Sequence, residues 1–271
     1  MKKMKLSVVV ITKNEQDMLK VCLESVKWAD EIVVIDNGSI DKTAEIARAA
    51  GARIVKFESN DFSKTRNKGM EEAGGEWVLY VDADERVLNP LRREISEIVT
   101  GTDDAAFALS RKNIIFGQAV SYGPYKKDWV IRLFKKDKFE TWVGEVHEYG
   151  KFKGGLGYTK NSLLHLTHRD LDHFLLKALD WSRIDANLRL EAGHPEMTKW
   201  RFIRILISQS YEELIKRKGF FGGTVGIIDS VLQIFSFYMT YVRLWEMQQK
   251  KPLTESYKEI DKKLLESGFE F

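Results

Sequence analysis

Apolar positions in the first hundred residues come in short blocks that alternate between two spacings. Leu6-Ser7-Val8-Val9-Val10-Ile11 is a nearly unbroken β-branched run, which predicts a buried strand. Met18, Leu19, Cys22, Leu23 and Val26 then fall at helical spacing and predict a helix over residues 15–27. Glu31-Ile32-Val33-Val34-Ile35 predicts a second strand. The helix after it carries Ile46, Ala47 and Ala50, with Asp41 as its cap and Gly51 as its stop. Arg53-Ile54-Val55-Lys56-Phe57 reads as a third strand. A helix over about 63–73 leads through Gly74-Gly75 into a fourth strand, Trp77-Val78-Leu79-Tyr80-Val81. This β-α-β-α-β-α-β order predicts an α/β fold, a mostly parallel sheet flanked by helices.

The pattern changes beyond residue 100. Residues 105–110 and 130–134 are short strand candidates among loops rich in Gly, Lys and aromatics, so 105–165 reads as the rest of the sheet with loops on its far side. From Asp170 onward the spacing is helical. Leu171, Phe174, Leu175, Ala178, Leu179 and Trp181 follow the acidic cap of Asp170, a second helix covers 199–218, and a last long helix starts near Phe220. In that helix Ile227, Ile228, Val231, Leu232, Ile234, Phe235, Phe237, Tyr238, Tyr241 and Val242 share the length with a polar stripe of Asp229, Gln233, Ser236, Thr240 and Arg243. The pattern is amphipathic rather than spanning. Arg201, Arg204, Lys216, Arg217 and Lys218 flank it with positive charge. Two arrangements fit: a helix lying on an anionic membrane, or one packed on the preceding domain with its stripe in water.

Composition narrows the function classes. Of 271 residues, 44% are hydrophobic and 31% charged, as in ordinary soluble proteins. A net charge of +3 provides no global basic field, which argues against a nucleic-acid partner. Cys22 is the single cysteine, so an internal disulfide is excluded and a cysteine-based zinc site is disfavoured. Met1-Lys2-Lys3-Met4-Lys5 runs straight into the first strand without the apolar region of a signal peptide. The expected location is cytoplasmic, at the inner face of the cytoplasmic membrane if the last helix associates with lipid.

The candidate chemistry gathers where the strands end. Asp82-Ala83-Asp84, followed by Glu85, closes the fourth strand, at the sheet edge where open α/β folds bind ligands. Such a cluster of acids is costly unless a cation or solvent balances it, and a hard divalent ion bridging to a substrate diphosphate is the simplest balance. A solvated acidic turn is the plain alternative. Thr12-Lys13-Asn14-Glu15 sits at the first strand-to-helix turn. Asp36-Asn37-Gly38-Ser39 ends the second strand, where a carboxylate can accept from a nucleobase or ribose and Gly38 permits close approach. Lys64-Thr65-Arg66-Asn67-Lys68-Gly69 opens a helix, with Arg66 facing a base or phosphate. Taken singly, Asn14 or Glu15 can be a helix cap, Asp36 a turn residue and Arg66 a surface charge.

Together these segments resemble family 2 glycosyltransferases with a GT-A fold. The resemblance rests on Val8 to Glu15, on Ile35-Asp36-Asn37-Gly38-Ser39 with Asp41 and Thr43, on Arg66-Asn67-Lys68-Gly69 and on Val81-Asp82-Ala83-Asp84-Glu85. The second half is similar to the lipopolysaccharide core β-glucosyltransferase-like branch, through Arg132-Leu133-Phe134, Gly144-Glu145-Val146-His147-Glu148, Leu164-His165 with Lys177, and Gly219-Phe220-Phe221-Gly222-Gly223. The resemblance implies a nucleoside-diphosphate sugar donor, usually UDP-linked, a glycan or glycolipid acceptor of the cell envelope, and Mg²⁺ or Mn²⁺. It implies that Thr12, Asn14, Glu15, Asp36, Ser39 and Arg66 hold the nucleoside and that Asp82 and Ala83 touch ribose or metal. Asp84 ligates the metal, with His165 as a further ligand or diphosphate contact; a hydrogen-bonded core histidine is the other reading of His165. Inverting transfer needs a general base, and the common acidic pair of the family is replaced here by Val146-His147-Glu148. Glu148 is the expected base, with Glu145 second and His147 orienting the site. Arg132 binds donor phosphate or positions the base; packing along a strand edge is its plain alternative.

Residues 1–168 are therefore expected to form the catalytic domain, with 1–100 its nucleotide-binding half and 101–168 its acceptor half, and 169–271 a helical extension. Two competing readings are a non-catalytic membrane-associated scaffold that retains a sugar-nucleotide fold, and a nucleotidyltransferase. The absence of glycine from Thr12-Lys13-Asn14-Glu15 argues against the second.

Overall fold

The computed structural model describes residues 5–144 and 148–269. The chain divides into two compact units, Met1–Thr167 and His168–Phe271.

The first unit begins with β1 (Leu6–Thr12), α1 (Leu19–Val26), β2 (Glu31–Asp36), α2 (Thr43–Ala49), β3 (Arg53–Lys56), α3 (Phe62–Glu72) and β4 (Trp77–Asp82). It continues through β5 (Glu85–Arg86), α4 (Asn89–Gly101), β6 (Ala106–Ile115), β7 (Gln118–Ala119), β8 (Trp129–Lys135), β9 (Phe139–Val143), β10 (Tyr149–Phe152) and β11 (Leu156–Thr167). The main sheet has the order β3-β2-β1-β4-β8-β6-β11-β5, with β7 on β6, while β9 and β10 form a separate ribbon.

β1 pairs in parallel with both β2 and β4. A strand covered on both faces needs apolar side chains at successive positions, which accounts for the unbroken Val8-Val9-Val10 run. Val8 and Val10 pack with Leu19, Cys22 and Leu23 in one core layer, and Val9 packs with Val33, Tyr80 and Phe134 in the other. The register aligns Thr12 with Asp36 and Ile11 with Asp82, so three parallel strands deliver their polar ends side by side. β8 then enters antiparallel between β4 and β6, making the sheet mixed. Gly69 lets α3 close on this sheet: a Cβ there would lie 2.5 Å from Val9 Cγ1.

Several local expectations shift. α1 begins at Leu19 because residues 15–18 form a turn, with Met18 N and Leu19 N both donating to Glu15 O. Asp41 does serve the start of α2, its Oδ1 accepting from Thr43 N at 2.9 Å, and Gly51 stops the helix with φ +78°. α4 was not anticipated, although Leu91 and Ile95 form its buried side. Nor was β11, which runs twelve residues beside β6 and carries His165.

In the second unit, α5 (Leu171–Glu191) is capped by Asp170, whose Oδ1 accepts from His173 N at 2.7 Å. α6 (Lys199–Ser210) widens into a π turn over Tyr211–Lys216, so the helix expected over 199–218 is present with a change of winding. α7 (Gly223–Met247) and α8 (Leu253–Glu266), the latter unanticipated, complete it. α7 is one unbroken helix, as expected, and by length and composition alone it could cross a membrane. Its polar stripe turns inward rather than to water. Asp229 and Thr240 are buried, Asp229 Oδ1 lies 3.0 Å from His168 Nδ1, and Arg243 Nε donates to Ser182 Oγ at 2.9 Å. The exposed face of α7 is Ile227, Ile228, Val231 and Phe235. Asp229 and Arg243 can pack inward because each finds a hydrogen-bond partner there.

Candidate active site

The turns after β1 and β2 are sewn together by the residues expected to hold a nucleoside. Asn14 adopts a left-handed conformation (φ +54°), which asparagine tolerates better than most residues. Its N–H donates to Ser39 Oγ at 3.0 Å and its Oδ1 accepts from Ile40 N at 2.9 Å. Asp36 Oδ1 accepts from Ser39 N at 3.0 Å, and Glu15 N donates to Thr43 Oγ1 at 2.8 Å. Asn14 and Ser39 thus use side-chain groups on loop geometry, as does one oxygen of Asp36. Thr12 Oγ1, by contrast, is buried with no hydrogen-bond partner among the described residues.

A second group centres on Asp82. Its Oδ2 accepts from Arg132 Nη2 at 2.7 Å and its Oδ1 from Arg66 Nη2 at 3.3 Å. Burial alone would push this carboxyl up, but the Arg132 and Arg66 charges outweigh burial and hold it well below the usual carboxylate range. Arg66 Nε also donates to Glu148 Oε1 at 2.7 Å. Burial opposes the Arg66 charge, and Asp82 and Glu148 more than restore it. Burial, with repulsion from Arg66, pushes Arg132 down. The Arg66 guanidinium sits 5.1 Å from the Trp142 ring centroid and 5.6 Å from that of Tyr80, and the Tyr80 hydroxyl donates to Arg66 O at 2.7 Å. Arg66, Asp82, Arg132 and Glu148 are therefore one ion cluster. Arg66 is a buried partner of the expected base rather than a surface charge.

Asp84 points elsewhere. β5 pairs with β11 in a register that sets His165 opposite Glu85, and Leu166 N donates to Asp84 O at 2.9 Å. His165 Nε2 consequently lies 3.6 Å from Asp84 Oδ2, both side chains being largely buried. That separation is long for a hydrogen bond. It lies just beyond the about 3–3.5 Å that separates two ligands each about 2.1 Å from a metal at right or tetrahedral angles, so a small closure would seat both on one ion. Among the described residues no group of three or more His, Cys, Asp or Glu side chains is arranged to hold a metal. An ion on Asp84 and His165 would take its remaining ligands from substrate and water, as an open site must. The residues present fit a hard divalent cation on those terms.

Glu85, fully buried, uses Oε2 to accept from Asp82 N at 2.9 Å. Burial, together with the Asp82 and Asp84 charges, pushes its carboxyl up. Ala83 contributes its carbonyl, which accepts from Arg86 Nη1 at 2.8 Å. Glu145 and His147 lie outside the described residues. Sequence reasoning missed Tyr80 and Trp142, which face Arg66. It also missed Asn113, Asp128 and Arg111, which lead to His165: Asn113 Oδ1 is 2.6 Å from His165 Nδ1. Each looks like an ordinary strand or loop residue until the sheet is assembled.

Known proteins bear on this architecture. The family model for glycosyl transferase family 2 matches residues 7–156, more than half of the chain. A TPR repeat-containing protein of Synechococcus elongatus is 35% identical over 48% of this chain, which spans only 31% of that protein's length. The lipopolysaccharide core biosynthesis glycosyltransferase LpsC of Rhizobium meliloti is 25% identical, over 92% of this chain and 95% of its own. Among solved structures, S. aureus TarS 1–349 in complex with UDP-GlcNAc superposes with a TM-score of 0.46 at 15% identity, over 78% of this chain and 72% of that one. The family model covers the whole β1-β2-β4 parallel core with its polar strand ends in register, and the chain is a glycosyltransferase that belongs to glycosyl transferase family 2.

Proposed function

We propose that this enzyme is an inverting, metal-dependent glycosyltransferase that moves a sugar from a UDP-linked donor to a hydroxyl of a cell-envelope glycan or lipid-linked acceptor. The observation that carries the reading is the Asp84–His165 pair, set beside the aligned ends of β1, β2 and β4. A divalent ion held there would act as a Lewis acid toward the departing nucleoside diphosphate. The chain's own residues supply the rest. The unpartnered Thr12 hydroxyl and the buried Asp36 sit where a nucleoside enters between β1 and β2. Arg132 and Arg66 leave one guanidinium nitrogen each, Nε and Nη1, buried without a partner among the described residues, and these are capacity for phosphate oxygens. Glu148, oriented by Arg66 through Oε1, takes the acceptor proton on its other oxygen. The envelope acceptor follows the likeness to LpsC along nearly the whole chain.

The second unit supports a peripheral membrane role. Trp200, Ile203, Ile207, Phe221, Ile228, Val231 and Phe235 are exposed while Asp229 and Thr240 are buried. A run of exposed apolar side chains of this kind suits a lipid surface. Lys199, Arg201 and Arg204 on α6 add attraction for anionic headgroups.

Metal-dependent hydrolysis across a panel of UDP-, GDP- and dTDP-sugars tests the donor and metal assignments together. Asp84→Ala is expected to abolish turnover in a folded protein; unchanged turnover in that variant sinks the reading.

A further inference from the structure

A chain of side chains stands behind His165 and fixes which of its ring nitrogens faces Asp84. Arg111 and Asp128 form a two-point pair, Nε to Oδ2 and Nη2 to Oδ1, each at 2.9 Å. Arg111 N also donates to Asp128 O at 2.8 Å, so Asp128 is held by backbone and side chain alike. Burial would push the Asp128 carboxyl up, but the Arg111 contacts and the Asn113 amide hold it below its ordinary value, as an ionised acceptor.

An ionised carboxylate can only accept hydrogen bonds. The Asn113 atom 2.9 Å from Asp128 Oδ2 must therefore be its amide nitrogen, Nδ2. That settles the side-chain flip, which distances alone leave open. Oδ1 then faces His165, and because it only accepts, the nitrogen 2.6 Å away, Nδ1, must carry the proton. In a neutral imidazole the lone pair is consequently on Nε2, the atom 3.6 Å from Asp84 Oδ2. Asn113 is fully buried, opposite His165 in the β6–β11 register, and so has little freedom to turn. Arg111 also lies 3.8 Å from Glu85 Oε1, linking this relay to the acids that follow β4.

We propose that Arg111, Asp128 and Asn113 are positioning residues that lock His165 in the Nδ1–H tautomer, presenting the Nε2 lone pair beside Asp84 for a divalent cation. The inference rests on the metal reading of the Asp84–His165 pair. Outer partners of this kind hold a ligand ring in place, and their loss typically weakens metal binding about 10–100-fold. Asp128→Asn is the sharpest perturbation. It keeps the shape but offers Asn113 an amide group, which frees Asn113 to turn and donate to His165 instead.

Two measurements on the full chain separate the layers of the argument. Imidazole ¹⁵N–¹H spectra of the metal-free protein, with the His165 signals assigned by His165→Gln, report the tautomer without any metal. Mn²⁺ binding, followed by the free-ion EPR signal with and without UDP, reports affinity. The relay predicts an Nδ1–H signature in the wild type that is lost or mixed in Asp128→Asn and Asn113→Leu, with Mn²⁺ affinity falling at least tenfold in both. Asp128→Asn, being isosteric, stands in should the fully buried Asn113→Leu fail to fold. An Nε2–H wild type, or variants that keep both tautomer and affinity, overturns the relay. A wild type with the Nδ1–H signature but no Mn²⁺ binding keeps the tautomer lock, overturns its metal-presenting role and removes the metal reading.

Discussion

Replacing Arg66 with methionine keeps most of the side-chain volume and removes a charge that two carboxylates share. Arg66 is 5% exposed and bonds Glu148 at 2.7 Å and Asp82 at 3.3 Å. The two carboxylates lose unequal amounts. Asp82 keeps Arg132 at 2.7 Å and its side chain is 29% exposed, so water and the second arginine cover the loss. Glu148 is 13% exposed and its bonded oxygen is stranded. Breaking one side of a buried pair costs about 3–5 kcal/mol, and losing the cation–π contacts with Trp142 and Tyr80 adds about 0.5–1 kcal/mol. Solvent reaching the cluster argues for the low end, about 3 kcal/mol, which for a unit of this size is a fall in Tm of about 6–12 °C. The assay is urea and thermal denaturation of Arg66→Met, Glu148→Gln and the double variant. If the stranded charge is the cause, Glu148→Gln should recover about 1–2 kcal/mol in the Arg66→Met background while destabilising the wild type. Strict additivity of the two substitutions would refute the reasoning, because it would mean that Glu148 is solvated rather than held by Arg66.

Asp61 caps α3, accepting from Ser63 N and Lys64 N; burial raises its carboxyl, but these bonds and the Ser63 hydroxyl outweigh burial and lower it. A lowered folded value stabilises above the unfolded one, so Asp61→Ala should cost about 1–2 kcal/mol at pH 7, a gap that closes as pH falls below about 4; a gap independent of pH would contradict the cap. Gly69→Ala sets a methyl 2.5 Å from Val9 Cγ1, and the resulting displacement of α3 should cost about 1–3 kcal/mol, checked by urea denaturation, with an unchanged midpoint counting against the close packing. On vesicles containing phosphatidylglycerol the protein should float, and Ile228→Glu combined with Phe235→Glu should leave it at the bottom of the gradient; a wild type that never floats removes the membrane role.

The first half of the fold was legible because each segment there has a single consistent period. The β-branched run Val8-Val9-Val10 favours a strand covered on both faces, as observed, and Gly51 stops α2 at a positive φ that favours glycine. Such features depend on neighbours within a few residues, or on how much apolar surface a segment must hide. The placing of polar strand ends in one row follows as soon as the strands are parallel, so Thr12, Asp36 and Asp82 were found together. Spacing alone does not separate Asp84 from Asp82, two residues apart on one turn, and only the family resemblance gave them different roles. Their separation follows from partners distant in the chain, with Arg66 and Arg132 claiming Asp82 and β11 bringing His165 to Asp84.

The helical unit shows the same division. Helix spacing located α5, α6 and α7, while the facing of α7 was decided by what its polar stripe could bond. Asp229 and Arg243 turn inward because His168 and Ser182 satisfy them there, a fact carried by no local pattern. Likewise the relay from Arg111 to His165 joins residues on β6, on β11 and before β8 that no motif connects. The sequence by itself determined the alternating strands and helices of the first eighty residues, the parallel core and the family, because periodicity, glycine and short motifs act within a few residues. Tertiary structure alone decided which acid meets which cation and which face of α7 is exposed, because charge pairing and burial depend on groups brought together only when the sheet and helices close.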